Sequence, residues 1–133
     1  MFRDTKAFSG FSVDDLARAR AFYADTLGLQ VSEMEATEGM EDMGGLMTLH
    51  LAGDCDVVVY EKADHTPASF TILNFPVDDI DAAVDELVRR GVSMERYGGF
   101  DQDEKGVARG IGPSIAWFTD PAGNVLSVLE IGQ

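Results

Sequence analysis

The sequence predicts an α+β fold made of two tandem β-α-β-β-β modules, and three observations predict it. The hexapeptide Phe11-Ser12-Val13-Asp14-Asp15-Leu16 returns half a chain later as Phe75-Pro76-Val77-Asp78-Asp79-Ile80. Each copy follows a short apolar run, at 6–10 and at 69–74. Each leads into an apolar pattern of helical period that stops at a glycine, Gly28 or Gly91, before another strand-like segment. Self-similarity in the same order speaks to architecture. It divides the 133 residues into a first module over 1–64 and a second over 65–133.

The hexapeptide has a physical reason to recur. Its Phe and Val alternate as strand residues do on a pleated surface. An aspartate of each Asp-Asp pair accepts the orphan amide hydrogens of a first helical turn and complements the positive end of the helix dipole. Asp14, Asp15, Asp78 and Asp79 are therefore read as caps, not as catalytic acids.

In chain order, 6–13 reads as the first strand and 15–27 as a helix. Leu16, Ala19, Phe22, Tyr23 and Leu27 form its apolar face. Gly28 supplies a left-handed cap. Residues 29–34 read as a strand. The stretch 35–45 shows no periodicity and reads as a mobile loop. Strands follow at 46–51 and 57–61, joined by the turn Ala52-Gly53-Asp54. A polar linker, 62–67, closes the first module. The second repeats the plan: a strand at 69–75 and a helix at 79–90, buried through Ile80, Ala83, Val84, Leu87 and Val88. A strand at 92–97 and a long loop at 98–113 follow. The last hairpin, 114–119 and 125–131, turns at Asp120-Pro121-Ala122-Gly123-Asn124, whose residues all suit a turn.

Composition narrows the function classes. The net charge is −14, a surface that repels nucleic-acid phosphates and anionic lipids, so neither is an expected partner. No stretch reaches the ~18 apolar residues of a membrane helix. No long apolar run follows the first residues, so no signal peptide is expected. The single cysteine, Cys55, has no internal partner, which suits a reducing compartment. The expectation is a cytoplasmic protein.

The stretch Val13-Asp14-Asp15-Leu16, with Phe22-Tyr23 and Leu27-Gly28-Leu29 at their spacing, resembles the opening of vicinal oxygen chelate proteins. That superfamily holds glyoxalase I, bleomycin resistance proteins and extradiol dioxygenases. The ending Phe118-Thr119-Asp120-Pro121-Ala122-Gly123-Asn124-Val125-Leu126 is similar to its last hairpin. The resemblance spans nearly the whole chain. It implies one glyoxalase-like domain in which the two modules form a curled, mostly antiparallel sheet around a cleft. It also implies a homodimer.

The enzymes of that superfamily hold a divalent metal with side chains from four strands. Carried over one position at a time, the resemblance puts those slots at Phe8, Val59, Ile72 and Ser127. Metals of this class take imidazole nitrogen or carboxylate oxygen, which none of the four supplies. Shifting the registers by one gives Ser9, Tyr60, Thr71 or Leu73, and Val128, which are no better. No metal and no other cofactor is expected.

Phe8, Val59 and Ile72 would then floor an apolar cleft, with Glu61, Asn74 and Ser127 as polar points. Trp117, the only tryptophan, offers a stacking surface or a core residue. His50 is a pocket histidine or an ordinary strand histidine, and His65 lies in the linker. The resulting expectation is a bleomycin-resistance-like protein that binds a small cationic or aromatic molecule without metal. The alternative is a lyase, isomerase or dioxygenase of the same superfamily, with metal ligands such as His50 or Glu61 at non-standard positions.

Overall fold

A computed structural model describes residues 1–34, 45–99, 101–110 and 112–131. The expected loop at 35–45 lies, apart from Gly45, outside the described residues. The chain forms two compact units, Met1–Thr66 and Pro67–Gln133. Each contains one β-α-β-β-β module, and the fold class is α+β.

In the first unit β1 is Ser9–Val13, β2 Gln30–Met34, β3 Leu46–Leu51 and β4 Cys55–Glu61. The sheet order is β1-β4-β3-β2. The β1–β4 pair is parallel, and the other two pairs are antiparallel. Strand β1 starts later than the alternation suggested, because its ladder begins only at Ser9 opposite Val57. Strand β4 starts earlier, because the three-residue turn after Leu51 pairs that residue with Cys55 at once. Gly53 and Asp54 both take positive φ in that turn, as a three-residue hairpin loop favours.

Helix α1 spans Leu16–Arg20 and runs on as a π-helical stretch, Ala21–Thr26. Asp15 is its N-cap, its Oδ1 accepting from the Arg18 N–H. The apolar spacing predicts an ordinary helix here. A single widened turn keeps the same residues on the buried side, so periodicity does not reveal it. Tyr23 is fully buried, with its ring 5.8 Å from Phe11 and 5.1 Å from Phe22. Under α1 lie Val13, Met47, Leu49, Val57 and Val59, none more than 3% exposed.

The second unit repeats the plan with β5 Thr71–Val77, α2 Ile80–Arg89, β6 Met94–Glu95, β7 Ile115–Thr119 and β8 Val125–Glu130. Its order is β5-β8-β7-β6, with β5 and β8 parallel. Asp79 caps α2 as Asp15 caps α1, accepting from the Ala82 N–H. Pro76 is tolerated in β5 because an outer strand spares one row of N–H donors. Ile80, Val84 and Leu87 bury the inner side of α2 against a sheet whose core is Ala116, Phe118, Leu126 and Val128.

One expectation for this unit changes. The strand at 92–97 shrinks to Met94–Glu95. Its flanks spend their amides elsewhere: Val92 N–H on the Leu87 carbonyl of the helix end, Tyr97 N–H on the Gln102 side chain. The described residues of the long loop are held by side chains. Gln102 also donates to the carbonyls of Glu95 and Gly106. Asp103 accepts from the amides of Lys105 and Val107 and from Arg109. Val107 and Ala108 are buried, and Ala108 bridges to Ile115.

Candidate functional site

Each helix covers one face of its sheet, and two glutamates identify that face. Glu61 Oε1 accepts from the Leu16 N–H, at 2.9 Å. Glu130 Oε1 accepts from the Ile80 N–H, at 3.3 Å. Both carboxylates therefore sit at the start of a helix, satisfying an orphan donor. Glu61 is directed there and not toward an open face. Val59 alternates with Glu61 and is fully buried, so it faces the helix too. The ladders place Val13 opposite Glu61 and Val77 opposite Glu130. Matching the two modules on these pairs makes Val58, not Val59, the counterpart of Ser127. Sequence spacing missed this by one residue because β4 and β8 follow loops of different length.

The opposite face of the first sheet carries Ser32, His50, Asp56, Val58 and Tyr60. His50 Nδ1 lies 3.0 Å from Asp56 Oδ1, and His50 Nε2 lies 2.7 Å from Ser32 Oγ. Phe8 precedes β1 and is 70% exposed.

The opposite face of the second sheet holds a row across all four strands. Asn74 of β5 pairs with Ser127 of β8, Ser127 with Trp117 of β7, and Trp117 with Glu95 of β6. The Ser127 hydroxyl donates to Asn74 Oδ1 at 2.6 Å. Ser127 is fully buried and Trp117 nearly so, while Asn74 is exposed. The Tyr97 ring meets Trp117 edge-on, with centroids 5.5 Å apart. Burial, and then the nearby Glu95 carboxylate, push the Tyr97 phenol above its ordinary pKa. Thr119 Oγ1 donates to Glu95 Oε1 at 3.4 Å. Ile72 is the extra residue of a β-bulge between Thr71 and Leu73, outside the row's ladder.

Asn74, Ser127 and Trp117 are thus brought together, whereas Val59 and Glu61 point to the helix side. Sequence reasoning missed Glu95 and Tyr97. Their segment pairs over only two residues, too few for alternation to show a face.

The donor set does not fit a divalent ion. Phe8, Ile72 and Val58 (or Val59) carry no lone pair, and the Ser127 hydroxyl is neutral with its proton committed to Asn74. Such an ion would give up hydration without replacement. Among the described residues no group of three His, Cys, Asp or Glu side chains converges. A groove of about 530 Å³ lies away from this row, between α2 and β6, floored by Val84, Val88, Val92 and Met94. Its cations are engaged: Lys105 by Asp81 and Asp85, Arg96 by the carbonyls of Asp103 and Glu104. Among the described residues no helix is long and apolar enough to cross a membrane.

Solved structures share this architecture. A glyoxalase family protein from Enterococcus faecalis is 20% identical with a TM-score of 0.69, over 98% of this chain and 100% of that one. TnmS3, an antibiotic binding protein from Streptomyces sp. CB03234, is 24% identical with a TM-score of 0.66, over 97% and 98%. A glyoxalase/bleomycin resistance protein from the same Streptomyces is 25% identical with a TM-score of 0.58, over 93% and 100%. No curated protein matches the chain. The family model for the Glyoxalase/Bleomycin resistance protein/Dioxygenase superfamily matches residues 8–128. With paired capped modules, the Asp-Pro hairpin and that match over most of its length, the chain belongs to the Glyoxalase/Bleomycin resistance protein/Dioxygenase superfamily.

Proposed function

We propose that the protein binds a small cationic or aromatic molecule on the face of its second sheet away from α2, without a metal, and that it does so as a cytoplasmic homodimer. The observation that carries this reading is the row Asn74, Ser127, Trp117 and Glu95, with Tyr97 at its edge. It joins two aromatic rings to one carboxylate and an amide–hydroxyl pair. Aromatic faces attract cations, a carboxylate adds a charged acceptor, and an apolar surface with few polar points is the usual small-ligand chemistry. The same fold carries antibiotic binding in the Streptomyces protein. The net charge of −14 further favours a cation.

Trp117 is the only tryptophan, so its emission reports on this row. Titration with bleomycin and with a planar cationic dye is expected to quench it saturably, while an anionic dye of similar size leaves it unchanged. Calorimetry on Glu95→Gln is expected to show about tenfold weaker binding of the cations, the scale of one charged hydrogen bond. The reading fails if no probe binds. It also fails if zinc, nickel, cobalt or manganese at about 100 times a micromolar Kd raises the melting point by the equivalent of roughly 2.7 kcal/mol. That second result would put the metal-dependent lyase, isomerase or dioxygenase first.

A further inference from the structure

Three neighbouring strands of the first module bring a hydroxyl, an imidazole and a carboxylate into one hydrogen-bonded chain. Ser32 stands on β2, His50 on β3 and Asp56 on β4, all on the face away from the helix. His50 and Asp56 are directly opposed across the β3–β4 ladder, and Ser32 sits diagonally from His50 across β2–β3. Each partner occupies a different ring nitrogen: Asp56 at Nδ1, 3.0 Å, and Ser32 at Nε2, 2.7 Å.

That division fixes the tautomer of the neutral ring. A carboxylate only accepts, so Nδ1 carries the proton and donates to Asp56. Nε2 then holds the lone pair, and the Ser32 hydroxyl donates to it. This is the arrangement of a general base prepared to take a serine proton, with the base oriented by a third group. Ser32 is exposed on an outer strand, and the His50 and Asp56 side chains are 35% and 54% exposed. A substrate reaches the hydroxyl from solvent.

We propose that Ser32, His50 and Asp56 form a nucleophilic relay that accepts acyl groups from activated esters. The Ser32 Oγ lone pair forms a bond to the ester carbonyl carbon as its proton passes to His50 Nε2. The carbonyl π pair moves to oxygen and returns as the bond to the leaving aryl oxide breaks. That oxide takes the proton from Nε2. A water molecule, deprotonated by the same nitrogen, then attacks the Ser32 ester carbonyl; the bond to Ser32 Oγ breaks, Oγ takes the proton back from Nε2, and the carboxylic acid is released. Solvent stabilises the oxyanion on so open a face, which restricts the relay to esters with good leaving groups, such as aryl acetates.

The test uses the full chain with p-nitrophenyl acetate, following phenolate release and mapping the acetyl group by peptide mass. The expected result is acetyl on Ser32 and release at least about 100-fold faster than in Ser32→Ala, the low end of general-base assistance. His50→Gln and Asp56→Asn are expected to lose a comparable factor. In the second, an amide can donate to Nδ1 and leave Nε2 protonated. Ser32→Cys keeps the adduct and shows that the site survives substitution. Acetyl found only on lysines, on the N-terminus or on His50 overturns the proposal. So does release unchanged in Ser32→Ala. Melting curves on each variant separate lost chemistry from lost strand clamping, since a purely structural triplet would move stability and leave acylation alone.

Discussion

Glu86 shows what one residue contributes through charge alone. It stands on α2 one turn before Arg89 and Arg90 and accepts from both guanidinium groups. Those hydrogen bonds, Arg89's first and Arg90's next, lower its pKa from 4.5 to about 2. A carboxylate with a depressed folded pKa stabilises the fold above its unfolded pKa, and the contribution disappears as pH falls through the folded value. Urea unfolding of the native chain and of Glu86→Gln is expected to differ above about pH 4.5 and to converge toward about pH 2. Because the cluster is exposed, ~1 M salt, where screening acts within about 3 Å, is expected to erase the difference at every pH. A gap that persists in high salt would mean packing and not charge.

The helices are each held at their start by two acids from different parts of the chain. Asp15 and Asp79 follow their strands directly and serve the third amide of the helix, while Glu61 and Glu130 arrive from the parallel partner strand and serve the first. Glu61→Ala leaves the Leu16 amide unpaired in a part-buried position, which is expected to cost about 1–2 kcal/mol in denaturant unfolding. Glu130→Ala, with the longer 3.3 Å bond, is expected to cost less. If both variants melt with the native chain, water replaces the carboxylates and the pairing is incidental. The Asp caps were legible in the repeated hexapeptide because a cap acts within a few residues of itself. The Glu caps were not, since they depend on which strand lies parallel to which.

On the scale of the molecule, each sheet ends in outer strands, β1 and β2 in one unit and β5 and β6 in the other. Outer strands invite a partner, which supports the proposed homodimer. The charge of −14 on each chain opposes it. Lowering ionic strength from ~0.15 M to ~0.01 M lengthens the screening distance from about 8 Å to about 30 Å. Sedimentation at micromolar concentration is therefore expected to show twice the 14.4 kDa chain mass at the higher salt and partial dissociation at the lower. A 14.4 kDa species at both would leave the chain a monomer.

The sequence by itself determined what short-range physics encodes. The doubled cap, the helical stripes ending at Gly28 and Gly91, and the Asp-Pro hairpin were each legible because a few neighbouring residues fix them. Tertiary structure alone decided what depends on strand register. A shift of one residue turns a side chain to the other face, so Val59 and Glu61 face the helix while Val58 does not. The same registers align Glu95 with Trp117 and His50 with Asp56, residues whose own segments carry no sign of each other.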